Sequence, residues 1–169
     1  MTFISVQGAN SLAANFEAVT VLHNSSTDIA CSAGTVVPLG SSRDLQGSAS
    51  YSVSSGVITL PSGYFYMLKG AIGAYGSTIS SDLLSYRFYD TGSSAYVGRR
   101  GWLAWQEAPK TTCGDEYAIA MVDASSSAKT VDLRIVTKAG GTIVLDPSAS
   151  TYQYYWYSGY CRVEVWKWK

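Results

Sequence analysis

The sequence predicts an all-β protein built as a β-sandwich or jelly roll. Three observations point there. β-Branched and aromatic residues dominate the apolar runs, which suits a pleated, half-buried surface. Turn signals of Gly, Asn, Asp, Ser and Pro recur about every ten residues. No segment makes a convincing helix. The 169 residues suit one domain, 1–169, in which 1–55 supply N-terminal strands and loops.

Taken in order, residues 2–7 (TFISVQ) alternate and read as a first strand, and Gly8 to Asn15 as a connection. Phe16 to Leu22 is strand-like and ends at Asn24-Ser25-Ser26. A short strand is expected from Thr35 to Leu39, ended by Pro38 and Gly40. Residues 41–55, rich in Ser and Gly, read as loop with a weak strand at Tyr51–Val53. The stretch GVITLPSGYFYMLKGAIGA (56–74) follows: an apolar run, a Pro-Ser-Gly turn, then a longer apolar run with one charge, Lys69. Two strands, 57–60 and 64–74, are expected here.

Asp82 to Asp90 is the next strand, closed by the turn Asp90-Thr91-Gly92-Ser93-Ser94. Tyr96 to Gln106 reads as strand and Pro109 to Asp115 as loop. Glu116 to Val122 (EYAIAMV) is a strand that is apolar on both faces. After a turn at 123–129, Thr130 to Val136 alternates: Val131, Leu133 and Ile135 face one way, Asp132 and Arg134 the other. Gly140-Gly141 makes a tight turn into strand at 142–145. Residues 146–159 read as loop, and Cys161 to Trp168 as the closing strand.

The strands sort into two groups. Those at 83–89 and 130–136 carry charges on one face, as strands with a wet side do. Those at 64–74 and 116–122 are apolar on both faces, so something must cover both. A single sandwich core covers one, and another copy of the chain is the expected cover for the other. The closing strand puts Cys161, Val163 and Val165 on one face and Arg162, Glu164, Trp166 and Trp168 on the other. Two tryptophans opposite the valines fit an oligomer interface.

Two of these stretches carry a resemblance. GVITLPSGYFYMLKGAIGA resembles the "ITLPAGTYY" segment of tumour-necrosis-factor/C1q-like jelly rolls found in bacteriophage proteins, and CRVEVWKWK resembles that family's terminal strand with its "IWK"-like ending. EYAIAMVD fits the segment between, so the likeness spans roughly 56–169. It implies a TNF/C1q-like jelly roll of two antiparallel sheets assembling as a homotrimer. One sheet of each subunit packs around the threefold axis, with the terminal strand beside the first strand in it. Interface candidates are Tyr64, Tyr66, Met67, Tyr117, Ile119, Trp166 and Trp168. Phage members are virion surface proteins: capsid knobs, fibre heads and spikes. Strand-like sequence beginning directly after Met1 leaves no room for a shaft if Met1 is the native start. The expectation is therefore a trimeric knob that decorates or cements the capsid, with the major capsid protein as partner. The alternative is the receptor-binding tip of a fibre or spike, used for host attachment through a surface glycan or protein.

Net charge is zero and no basic run exists, which gives no electrostatic reason to expect nucleic acid or an anionic membrane. The start lacks the basic and apolar regions of a signal peptide, so the chain reads as made in a cytoplasm; the host cell and the virion surface are what the resemblance implies. Without secretion, Asn24-Ser25-Ser26 has no meaning as a glycosylation acceptor. Cys31, Cys113 and Cys161 are odd in number and far apart, which reads as reduced, buried thiols. Zinc is not expected, with no C-x-x-C and one histidine, His23. A catalytic triad would have to use His23, and the acidic residues lack calcium-loop spacing, so neither an enzyme nor a cofactor is expected. The cluster Tyr152, Tyr154, Tyr155, Trp156, Tyr157 and Tyr160 has two readings: subunit packing, or an external surface where a sugar or protein stacks.

Overall fold

The computed structural model describes residues 17–23, 29–44, 51–76, 82–106, 111–145 and 161–168. Every regular element among them is a strand. In chain order these are β1 (Glu17–His23), β2 (Ile29–Ala30), β3 (Leu39–Asp44), β4 (Ser52–Ser54), β5 (Val57–Leu60), β6 (Tyr64–Ala71) and β7 (Ala74–Gly76). They continue as β8 (Asp82–Asp90), β9 (Ala95–Gln106), β10 (Thr111–Glu116), β11 (Ala118–Ala124), β12 (Lys129–Ala139), β13 (Ile143–Leu145) and β14 (Arg162–Trp168). The expected strand at 2–7 and the aromatic cluster at 152–160 lie outside the described residues.

Eleven strands join one antiparallel sheet in the order β3-β1-β14-β6-β11-β9-β8-β12-β5-β4, with β10 on β9; β2, β13 and β7 form a small second sheet. The large sheet is two blocks joined at one seam, where Ile119 of β11 pairs with Arg99 of β9. There the sheet curls. Gly98 makes the curl possible: its φ is +74°, and a Cβ on it would meet the Ile119 carbonyl oxygen and Ala120 Cα at 2.1 and 2.6 Å.

The curl brings the two blocks face to face across the core. A Cβ on Gly70 of β6 would lie 3.0 Å from Phe88 Cζ on β8 and 3.1 Å from Leu133 Cδ1 on β12. The missing side chain thus lets the blocks approach. Tyr66, Leu68, Val163, Val165, Ala118, Ala120 and Val122 fill the core from one block, and Leu84, Tyr86, Phe88, Val131, Leu133 and Ile135 from the other. All are apolar or aromatic, and Tyr66 and Tyr86 satisfy their hydroxyls by donating to the carbonyls of Pro61 (3.0 Å) and Glu116 (2.8 Å).

Several expectations need correction: residues 41–44, expected as loop, belong to β3, and the strand expected over 64–74 ends at Ala71, with β7 pairing instead with β13 in the small sheet. The ladder expected at 35–39 is shorter and ends at Pro38. Val36 makes a single pairing with Arg134, and Val37 donates its amide to the Leu133 carbonyl at 2.8 Å. Pro38, with no N–H, cannot extend the ladder. The chain re-enters a strand at Leu39 and runs through Gly40 to Asp44, pairing with β1. Residues 111–115, expected as loop, form β10 on β9 together with Glu116. The register shifts between Thr112 and Gly114, the kind of bulge at which a strand tolerates glycine.

Cys31 and Cys161 are buried free thiols, as expected. Burial pushes the Cys31 thiol up to about 11, which keeps it protonated and unreactive.

Candidate interaction face

β6, β11 and β14 lie side by side, β6 in the middle. β11 and β14 alternate throughout and β6 from Phe65 to Gly70, so each presents one set of side chains to the core and the other outward. The outward set is where the chain departs from an ordinary soluble sheet. Met121 is 60% exposed, Phe65 40% and Ile119 37%, all on adjacent strands. Contiguous apolar surface of this kind marks an interaction site rather than scattered surface residues.

Register arranges these side chains in rows across the strands. Trp166, Met67 and Met121 form the central row. Trp168, Phe65 and Asp123 form the row toward one end. Phe65 and Trp168 stack, their ring centroids 6.5 Å apart and their planes 21° from parallel. Glu164, Lys69 and Ile119 form the row on the other side.

That last row begins a charged margin. Lys69 Nζ lies 3.5 Å from Glu164, and Arg162 Nε lies 3.7 Å from the same carboxylate. Tyr117 completes it. Its ring sits 4.0 Å beneath Lys69 Nζ, and its hydroxyl accepts from Arg162 Nη2 at 3.1 Å. At the opposite margin Asp123 accepts from the amide and hydroxyl of Ser125, and these bonds hold its carboxyl below the usual range. The face is therefore an apolar band with charged ends, the pattern of a protein interface with a dry centre and a polar rim.

Of the sequence-derived interface candidates, Met67, Tyr117, Ile119, Trp166 and Trp168 meet on this face. Tyr66 does not. It is fully buried in the core of its own chain and has no surface to offer another. Tyr64 shares Tyr66's parity: it packs against the core, its ring 6.2 Å from Tyr66 and 4.8 Å from Lys167 Nζ. The reason is strand geometry, since adjacent residues 66 and 67 cannot share a face. Phe65 and Met121 belong to the face and were not among the candidates; their parity with Met67 and Ile119 is the signal that identifies them. Tyr152, Tyr154, Tyr155, Trp156 and Tyr157 lie outside the described residues.

Among the described residues no group of three or more His, Cys, Asp or Glu side chains is placed to hold a metal ion. No helix there is long and apolar enough to cross a membrane. His23 ends β1, as the sequence places it. Set beside known proteins, the chain matches no family model and no curated protein.

Proposed function

We propose that the chain is a structural protein of a bacteriophage virion: a TNF/C1q-like jelly-roll homotrimer that stands on the particle surface and decorates or cements the capsid. The single observation that carries this reading is the outward apolar band Trp166–Met67–Met121 with Phe65 and Ile119. Water is a poor neighbour for it, and a second and third copy of the same chain are its occupants. Burying one such side chain fully stabilises by about 1.5–3 kcal/mol, and the several contributed by each of three subunits work against the roughly 4–15 kcal/mol lost on association.

Three further features support the reading. Terminal β14 lies beside β1, the first described strand, in the block that carries the apolar face, as the family resemblance expects of the axis-facing sheet. The two blocks face each other across one core, as sandwich sheets do. The margin carries both signs of charge and the chain is neutral, so identical copies meet cation to carboxylate without net repulsion.

The test is copy number. The chain is quantified against the major capsid protein in purified virions. Copies matching the number of seats on a capsid lattice support decoration. A number matching the fibres or spikes moves the protein to a receptor-binding tip. Absence from the particle removes the virion reading.

A further inference from the structure

The other block carries a second surface, of different chemistry, on strands β8, β9 and β12. Alternation puts Tyr86 and Phe88 of β8 and Leu133 of β12 in the core and turns Arg87, Tyr89 and Arg134 outward. Register then sets Tyr89 between Asp132 and Tyr96, and Arg87 opposite Arg134.

The group is pre-organised. Arg134 donates to both oxygens of Asp132, at 2.6 and 2.7 Å, and its guanidinium lies 3.6 Å above the Tyr89 ring. Tyr96 meets Tyr89 edge to face at 5.1 Å and is 38% exposed. Asp132 is only 1% exposed, so its carboxylate is committed to Arg134. Arg87 donates Nε at 3.3 Å to the carbonyl of Val97, the residue that follows Tyr96. Its two Nη groups make no hydrogen bond or ion pair among the described residues.

Arg87 and Arg134 therefore occupy opposed positions on β8 and β12, and the one carboxylate at the neighbouring outward position, Asp132, is already paired with Arg134. Like charges in opposed positions destabilise a sheet. The arrangement leaves a local positive surplus on a chain of zero net charge. It also leaves a planar fork of donors held at Val97, next in the chain to the exposed ring of Tyr96. A fork of that shape fits a carboxylate or sulfate, and the ring fits a flat, partly apolar partner.

We propose that this face of β8, β9 and β12 binds an acidic polysaccharide, with Arg87 taking the carboxylate or sulfate and Tyr96 stacking on the sugar ring. An acidic peptide fits less well. Peptides dock on open strand edges or in apolar grooves, whereas β8 and β12 are paired on both sides. Among the described residues, the strongly exposed aliphatic and phenylalanine side chains, Phe65, Ile119 and Met121, lie on the other block. The platform belongs to one chain and does not depend on the trimer.

The experiment measures binding of the full chain to an immobilised polyuronate, a sulfated galactan and polysialic acid, with neutral dextran and poly-glutamate as controls. The expected result is binding to at least one acidic glycan, none to dextran and little to poly-glutamate. Arg87→Ala and Tyr96→Ala should each weaken it about tenfold, the size of one lost charge-assisted contact or ring stack. Ser127→Ala, in the turn after β11, should leave it unchanged. Both test side chains are outside the core, and a thermal melt verifies that the variants fold. Arg87→Lys serves as a second variant: it keeps the charge, loses the fork and should still weaken binding. Three outcomes overturn the proposal: no binding to any of the three glycans, binding unaffected by all of these Arg87 and Tyr96 substitutions, or poly-glutamate bound as tightly as the best glycan.

Discussion

Met67 lies directly opposite Trp166 across the β6–β14 pair, and both turn away from the core that their immediate neighbours Leu68 and Val165 fill. Met121 extends the row on the other side. A charge placed in this row meets water in an isolated chain and apolar surface in a trimer. Met67→Asp or Trp166→Asp should therefore leave the chain folded and abolish the trimer. Sedimentation velocity reads the outcome, and a stable trimer in both variants would remove this face from the interface.

The seam of the sheet is equally specific. Gly98→Ala adds a Cβ against backbone atoms of β11 at a positive φ, so neither a rotamer change nor a flexible neighbour relieves it. The expected loss is at least about 2 kcal/mol, measured by denaturant unfolding. A variant as stable as the parent would mean that the two blocks are not joined there.

Asp132 is the buried half of an ion pair whose other half is partly exposed. Its hydrogen bonds are the main reason the Arg134 guanidinium holds its proton even more tightly than usual, against the opposing effect of burial. Asp132→Ala strips the carboxylate from a guanidinium stacked on Tyr89 and should cost about 1–3 kcal/mol. Unfolding midpoints of the variant and parent test this, and equal midpoints would contradict it.

Asp90 gives the fold an acid response. Burial works to raise its pKa. Hydrogen bonds from the Ser93 amide and hydroxyl and the Gly92 amide outweigh that and hold it below the ordinary 3.8. A carboxyl with a depressed folded-state value stabilises fully above the unfolded value and loses that contribution as pH falls through the folded one. Asp90→Asn should thus melt lower than the parent at pH 7, and the gap should close below pH 3.8. Melting temperatures across pH 2–7 check it; a gap constant to the lowest pH would exclude Asp90 as the source.

Much of the architecture was legible in the residues. The alternation of 130–136 placed Val131, Leu133 and Ile135 inward, but the face expected to be wet there is covered at Asp132, which lies only 1% exposed against Arg134; Asp90 to Ser94 gave the turn because the carboxylate accepts from the amides two and three residues on. What local sequence could not give was decided by distant partners. β3 (LGSSRD) and β10 (TTCGDE) each carry Gly and Asp, residues depleted in strands; pairing with β1 and β9 makes them strands. The apolar face was half legible. Where both parities are apolar, as in YFYML, composition shows two apolar sides but not which side is core. Tyr64 and Tyr66 belong with Leu68, and Phe65 with Met67. Only the packing of Gly70 against Phe88 and Leu133 fixes that choice.

The most direct test of the central claim is the mass of the unmodified chain in solution. Sedimentation equilibrium over a wide concentration range should return three times the 18.1 kDa chain mass, with no dissociation at micromolar loading. A single 18.1 kDa species at all concentrations would contradict the account, because the band of Trp166, Met67 and Met121 would then face water.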